Sequence, residues 1–95
     1  MRLITLEFNA AEDIIEPVLQ DVETLKEYWN SHGVRFRLYQ DTARKNRYFG
    51  TFTTEKSVDE IVGLIQTDGG AKSLFERLKG AGIHILISVM EEVHP

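Results

Sequence analysis

VRFRLYQDTARKNRYFGTFTT, residues 34–54, is the stretch on which the fold turns. Its first seven residues alternate, with Val34, Phe36 and Leu38 on one face and Arg35, Arg37 and Tyr39 on the other. A period of two marks a strand with one side against a core. Asp41 to Arg47 is polar and basic and reads as a hairpin loop, and Tyr48 to Thr54 supplies the return strand. With the loop centred on Arg44, antiparallel pairing sets Phe36 opposite Phe52 and Leu38 opposite Gly50. The other face then pairs Tyr39 with Phe49, Arg37 with Thr51 and Arg35 with Thr53. A slip of one residue would turn the apolar sides apart.

Upstream, Ile15, Val18, Leu19, Val22, Leu25 and Trp29 recur at helical spacing. They predict one helix from Pro17 to about Ser31, with Pro17 in the first turn, where its missing N–H costs nothing, and Gly33 as the left-handed stop. Arg2 to Phe8 alternates as a strand, with Ile4, Leu6 and Phe8 inward and Leu3, Thr5 and Glu7 outward; Asn9 to Asp13 reads as a polar turn. Downstream, Ser57 with Glu60 forms a capping box ahead of the stripe Val58, Ile61, Val62 and Ile65. Thr67 to Gly70 breaks that helix, and Ala71, Leu74, Phe75 and Leu78 resume it until Gly80 and Gly82. Ile83 to Met90 is the last strand, with Ile83, Ile85, Ile87 and Val89 toward the core, and Glu91 to Pro95 is a loose polar tail.

The order β-α-β-β-α-β, second helix broken, is the split βαβ of ferredoxin-like α+β domains. Right-handed crossovers put the first and third strands in the middle of a four-stranded antiparallel sheet, with both helices on one face. One domain over residues 1–95 is expected.

Composition narrows the function classes. The formal charge of −4, from 15 acidic and 11 basic side chains, disfavours a broad nucleic-acid surface. The absence of cysteine excludes disulfides, thiolate nucleophiles and Cys-based zinc sites. His32, His84 and His94 lack metal-ligand spacing, so neither metal nor cofactor is expected. No apolar run approaches the roughly 20 residues that span a bilayer. Because the strand pattern begins at Arg2, no leader peptide is expected and the default location is cytoplasmic.

One sheet face is left without helices. It carries Leu3, Thr5 and Glu7; Arg35, Arg37 and Tyr39; Phe49, Thr51 and Thr53; and His84, Leu86, Ser88 and Met90. That face is too apolar for water and too charged for a blind dry interface, so a facing second subunit, a homodimer, is expected. The last strand lies beside the first, which allows His84 to approach Glu7 as a candidate proton-transfer pair; a plain cross-strand ion pair is the alternative. Arg35, Arg37 and Tyr39 are candidate ligand-binding residues, since guanidinium groups at alternate positions suit a carboxylate or phosphate. Arg35 and Arg37 lie on the opposite edge strand from His84, three strand spacings of about 4.8 Å or roughly 14 Å away, and could join it only through a ligand or the partner chain. Asp68 to Ser73 lacks the spacing of a phosphate-binding loop, and Arg44 to Arg47 reads as a solvated hairpin tip.

The element order, the Gly69-Gly70 interruption before Ala71 to Leu78, and the strand end Val89-Met90-Glu91-Glu92 resemble the dimeric α/β-barrel superfamily. It includes antibiotic-biosynthesis-monooxygenase-like and stress-responsive barrel domains. The resemblance covers nearly the whole chain as topology and pattern, without a diagnostic motif. It implies two sheets packed face to face, with any site inside the barrel or between sheet and helices. Haem-degrading members resemble one another in an Asn on the first strand, a Trp near the third strand or the following helix, and a His on the later helix. Here Asn9 matches loosely, Trp29 lies in the other helix, and no histidine occurs between Glu55 and Gly82, so that activity is not implied.

The leading expectation is therefore a small dimeric barrel binding a small organic molecule, anionic or aromatic, between its sheets; the sequence leaves open whether it is an enzyme. A dimerisation domain without ligand is the first alternative. An RNA-recognition-like module with Tyr39 and Phe49 as a stacking platform is the second; the charge and the mismatch of Arg47 to Phe52 with that family's aromatic octamer weigh against it.

Overall fold

Alternation in three of the four predicted strands becomes sheet as expected. A computed structural model describes residues 1–67 and 76–94, with only the backbone of 65–67. It contains β1 (Arg2–Asn9), α1 (Glu12–Gln20), α2 (Val22–Ser31), β2 (Val34–Gln40), β3 (Arg47–Thr54), α3 (Val58–Thr67) and β4 (Leu86–Glu91). Residues 76–80 are also helical. The strands form one antiparallel ferredoxin-like sheet in the order β2-β3-β1-β4. In the β2–β3 hairpin, Phe36 pairs with Phe52, Leu38 with Gly50, Arg37 with Thr51 and Tyr39 with Phe49, the register that alternation demands.

The single helix expected from Pro17 to Ser31 is instead two, and the turn expected at 9–13 is shorter. α1 begins at Glu12, where Glu12 and Asp13 place negative charge at the helix's positive end. Pro17 consequently lies inside the helix, where its ring opposes the carbonyl four residues back. The helix gives way at Asp21 (φ −96°, ψ 1°). The Asp21 N–H bonds the Val18 carbonyl at 3.1 Å, and its own carbonyl receives the Leu25 N–H at 3.0 Å to start α2. Gly33 ends α2 at φ +75°, a conformation that costs other residues about 1–2 kcal/mol. The capping box forms, with the Glu60 N–H donating to Ser57 Oγ at 3.2 Å.

The core lies on the helical side of β1, β2 and β3. Trp29 is fully buried and meets Phe52 edge-on at 5.0 Å, while Phe36 lies 5.0 Å from Phe52 on its other flank. Ile4, Leu6, Phe8, Ile15, Val18, Leu25, Val34 and Tyr48 are buried around them.

β4 differs from expectation. It starts at Leu86 rather than Ile83, although Ile83 and Ile85 still pack against the core. Ile87 and Val89 point to the helical side yet are 60% and 45% exposed. Among the described residues α3 covers this half of the sheet incompletely, with Val62 itself 43% exposed. The interruption expected at Gly69-Gly70, and the stripe Ala71, Leu74 and Phe75, lie outside the described residues; Leu78 is fully buried.

Candidate functional site

On the uncovered face, Glu7 is placed opposite Phe49 of β3 and Leu86 of β4. Its carboxylate accepts two hydrogen bonds from Arg47, one from Nε at 2.8 Å and one from Nη2. Arg47 Nη1 also donates to Asp41 Oδ2 at 3.3 Å, and the guanidinium lies 5.0 Å over the Phe49 ring. Asp41 is fixed in turn by the Ala43 N–H at 2.8 Å and the Arg44 N–H at 3.3 Å. The Glu7 hydrogen bond raises the Arg47 pKa above its ordinary range, helped by the charges of Glu7 and Asp41. The Asp41 carboxyl is held below its ordinary value first by the Ala43 N–H, then by the Arg44 N–H and Arg47, against some desolvation. The cluster locks the hairpin onto β1.

His84 lies just before β4 and is exposed, and among the described residues no hydrogen bond or ion pair joins it to Glu7. The partner of Glu7 is Arg47, a residue that sequence reasoning left in the hairpin loop. The β1–β3 register carries the missing signal. It pairs Asn9 with Arg47 and Glu7 with Phe49, which makes Arg47 and Glu7 diagonal neighbours on one face.

Arg35 and Arg37 leave the sheet at the β2 edge. With Phe36 between them they line an open depression of about 350 Å³ whose other wall is Lys26, Glu27 and Asn30 of α2. Tyr39 stands apart at the hairpin end, exposed and opposite Phe49. The structure thus separates the candidate residues into three places: Glu7 and Tyr39 near the hairpin, the two arginines beside α2, and His84 at the far edge.

A different space lies under α3. Ile4 and Leu6 of β1, Phe52 of β3, Val58, Ile61 and Val62 of α3, and Ile87 and Val89 of β4 enclose a cavity of about 90 Å³. Each of these side chains is apolar, so among the described residues the space offers no side-chain partner for a water molecule. Engineered apolar cavities of about 150 Å³ stay dry and take up benzene; this one is smaller but open, since Val58, Val62, Ile87 and Val89 all reach solvent. Sequence reasoning assigned these positions to solid core, because an aliphatic stripe reads the same whether or not the opposing surface closes on it.

Among the described residues no group of three or more His, Asp or Glu side chains is placed to hold a metal, and no helix is long and apolar enough to cross a membrane.

No protein-family model matches the sequence, and no curated protein is similar to it. Solved structures match it closely in shape. A Deinococcus radiodurans protein assigned provisionally to the antibiotic biosynthesis monooxygenases superposes with a TM-score of 0.77 at 11% identity, covering 100% of this chain and 95% of that one. A dimeric ferredoxin-like protein from an uncultured marine organism gives 0.66 at 16% identity, covering 99% and 95%. The hydroxynitrile lyase of Passiflora edulis gives 0.60 at 14% identity, covering 99% and 97%. The chain therefore shares the ferredoxin-like fold of these structures. Such identities carry the fold, and the fold hosts more than one chemistry.

Proposed function

We propose that this protein binds a small, largely apolar organic molecule between α3 and the β1–β4 half of its sheet, as a homodimer closed over the uncovered sheet face. The wholly apolar cavity under α3, open at Val62, Ile87 and Val89, carries the ligand part of this reading. Its wall offers no acid, base or nucleophile among the described residues, so these side chains supply binding and desolvation rather than proton transfer. The dimer part is supported by Leu86 and Met90, both about half exposed on the uncovered face, beside half-buried Leu3 and Phe49. The marine relative described as dimeric has the same fold.

Trp29 is the single tryptophan and touches Phe52, which walls the cavity. Its fluorescence therefore reports occupancy. Titration with benzene, cyclohexanone and naphthol is expected to change that emission saturably. Val62→Phe, which puts a larger side chain across the mouth, weakens binding by roughly tenfold or more. Absence of saturable binding for every compound overturns the ligand reading. For the dimer, the mass in solution is expected to be twice that of the chain, falling to one chain in Leu86→Arg/Met90→Arg. A monomeric parent overturns it.

A further inference from the structure

We propose a second site, for a small dicarboxylate, in the depression between α2 and the β2 edge. This inference goes beyond the apolar pocket and does not rest on it. Among the described residues Arg35 and Arg37 stand with one lining carboxylate, Glu27, around an open space of about 350 Å³; Lys26, which also meets Glu23 at 3.4 Å, and the Asn30 amide complete the rim. In a chain of net charge −4 such an excess is local and specific.

The two arginines are also uncommitted. Arg2, Lys26, Arg47 and Lys56 each meet a carboxylate, whereas Arg35 and Arg37 form no side-chain hydrogen bond or ion pair among the described residues. Both are exposed. Guanidinium groups have a planar fork of donors that matches a carboxylate edge in two bonds. Standing two residues apart on one strand, these two leave the backbone about 6.6 Å from each other at roughly 3.3 Å per residue. That spacing suits two carboxylates joined by a short carbon chain better than one.

The strand edge adds a donor. The Asp41 N–H bonds the Arg47 carbonyl at 2.9 Å, and in an antiparallel ladder the bonded pairs recur every second residue. Tyr39, Arg37 and Arg35 therefore bond inward to β3, and Phe36 turns its N–H outward, toward the depression it lines. The ligand would meet two guanidinium forks, one amide and one backbone donor, with the Lys26 ammonium shared with Glu23 and the Glu27 carboxylate opposing.

The test is an amide-resolved NMR titration of the intact chain with succinate and glutarate, with acetate as the single-charge control. Saturable shifts centred on Asn30, Phe36 and Arg37, with succinate or glutarate binding at least about tenfold tighter than acetate, are expected. Arg35→Gln/Arg37→Gln lowers affinity by roughly tenfold or more, and Arg35→Lys/Arg37→Lys by less, because the charge survives and the fork does not. The urea midpoint and the mass in solution of these variants are expected to match the parent, which separates loss of the site from loss of fold or assembly. Val62→Phe leaves the titration unchanged. Equal affinity for acetate, shifts centred on Arg44 and Lys45, or the absence of saturation would each overturn the proposal.

Discussion

The two halves of the sheet are built to different standards of closure. On the β2–β3 side, Trp29, Phe36 and Phe52 interlock, Val34 is fully buried, and the Asp41–Arg47–Glu7 cluster pins the hairpin to β1. On the β4 side, Ile87 and Val89 carry the same kind of side chain in the same alternation, yet they border an open apolar space. Identical chemistry gives core in one half and pocket in the other, because what differs is how far the opposing helix closes. Proteins commonly concentrate stability in one region and leave the binding region less closed, and this chain divides along the line between β1 and β4.

The sharpest way to break this contrast is truncation on each side. Trp29→Ala is expected to cost about 3–5 kcal/mol in urea unfolding, as removal of a large buried aromatic does. Ile87→Ala, more than half exposed at 60%, is expected to cost less than about 1 kcal/mol. Comparable losses would mean that β4 is closed in solution and the pocket is not there. Next in size is Gly33→Ala, which forces a side chain into φ +75° at the entry to β2 and is expected to lose about 1–2 kcal/mol. A neutral result would show that the α2–β2 corner relaxes and is not part of the rigid half.

Gly50→Ala sharpens the comparison from within the hairpin. A Cβ there would lie 3.6 Å from a Phe36 ring carbon and 3.8 Å from Leu6, ordinary contact distances. Replacing a mid-strand glycine should therefore raise stability by about 0.5–1 kcal/mol; a loss would indicate tighter packing there than these distances describe. The smallest expected effect is electrostatic. Because the folded Asp41 carboxyl sits below its ordinary value of 3.8, its ionised form favours folding above that pH. The benefit fades as pH falls through the depressed folded value. The difference in urea midpoint between the parent and Asp41→Asn should be present at neutral pH and vanish in acid. A difference that persists in acid would show that it does not come from ionisation of Asp41.

Legibility in the sequence follows the same division. Alternation on both strands of the hairpin fixes the β2–β3 register, since one slip exposes Phe36 and Phe52 together, and Ser57 with Glu60 announces α3. The division at Asp21 was not legible, because the apolar stripe runs through it without a glycine and Pro17 also suits the first turn of a single helix. Arg47 was hidden for another reason. Its partner Glu7 is 40 residues away, and their meeting depends on the β1–β3 register, which neither strand's own pattern specifies. The pocket was hidden most completely, because periodicity says which way Ile87 and Val89 point and nothing about whether a surface meets them.

β4 has a practical consequence for anyone handling this protein. From Leu86 to Met90 the chain carries no charge, its side chains are exposed on both faces, and among the described residues its outer rim of peptide groups is the open margin of the sheet. Ribbons of that kind recruit further ribbons when left bare. Only Glu91 and Glu92 at the downstream end act as gatekeepers. Clouding of concentrated stocks, and its suppression by a lysine placed at Ser88, is therefore the behaviour to watch for during purification.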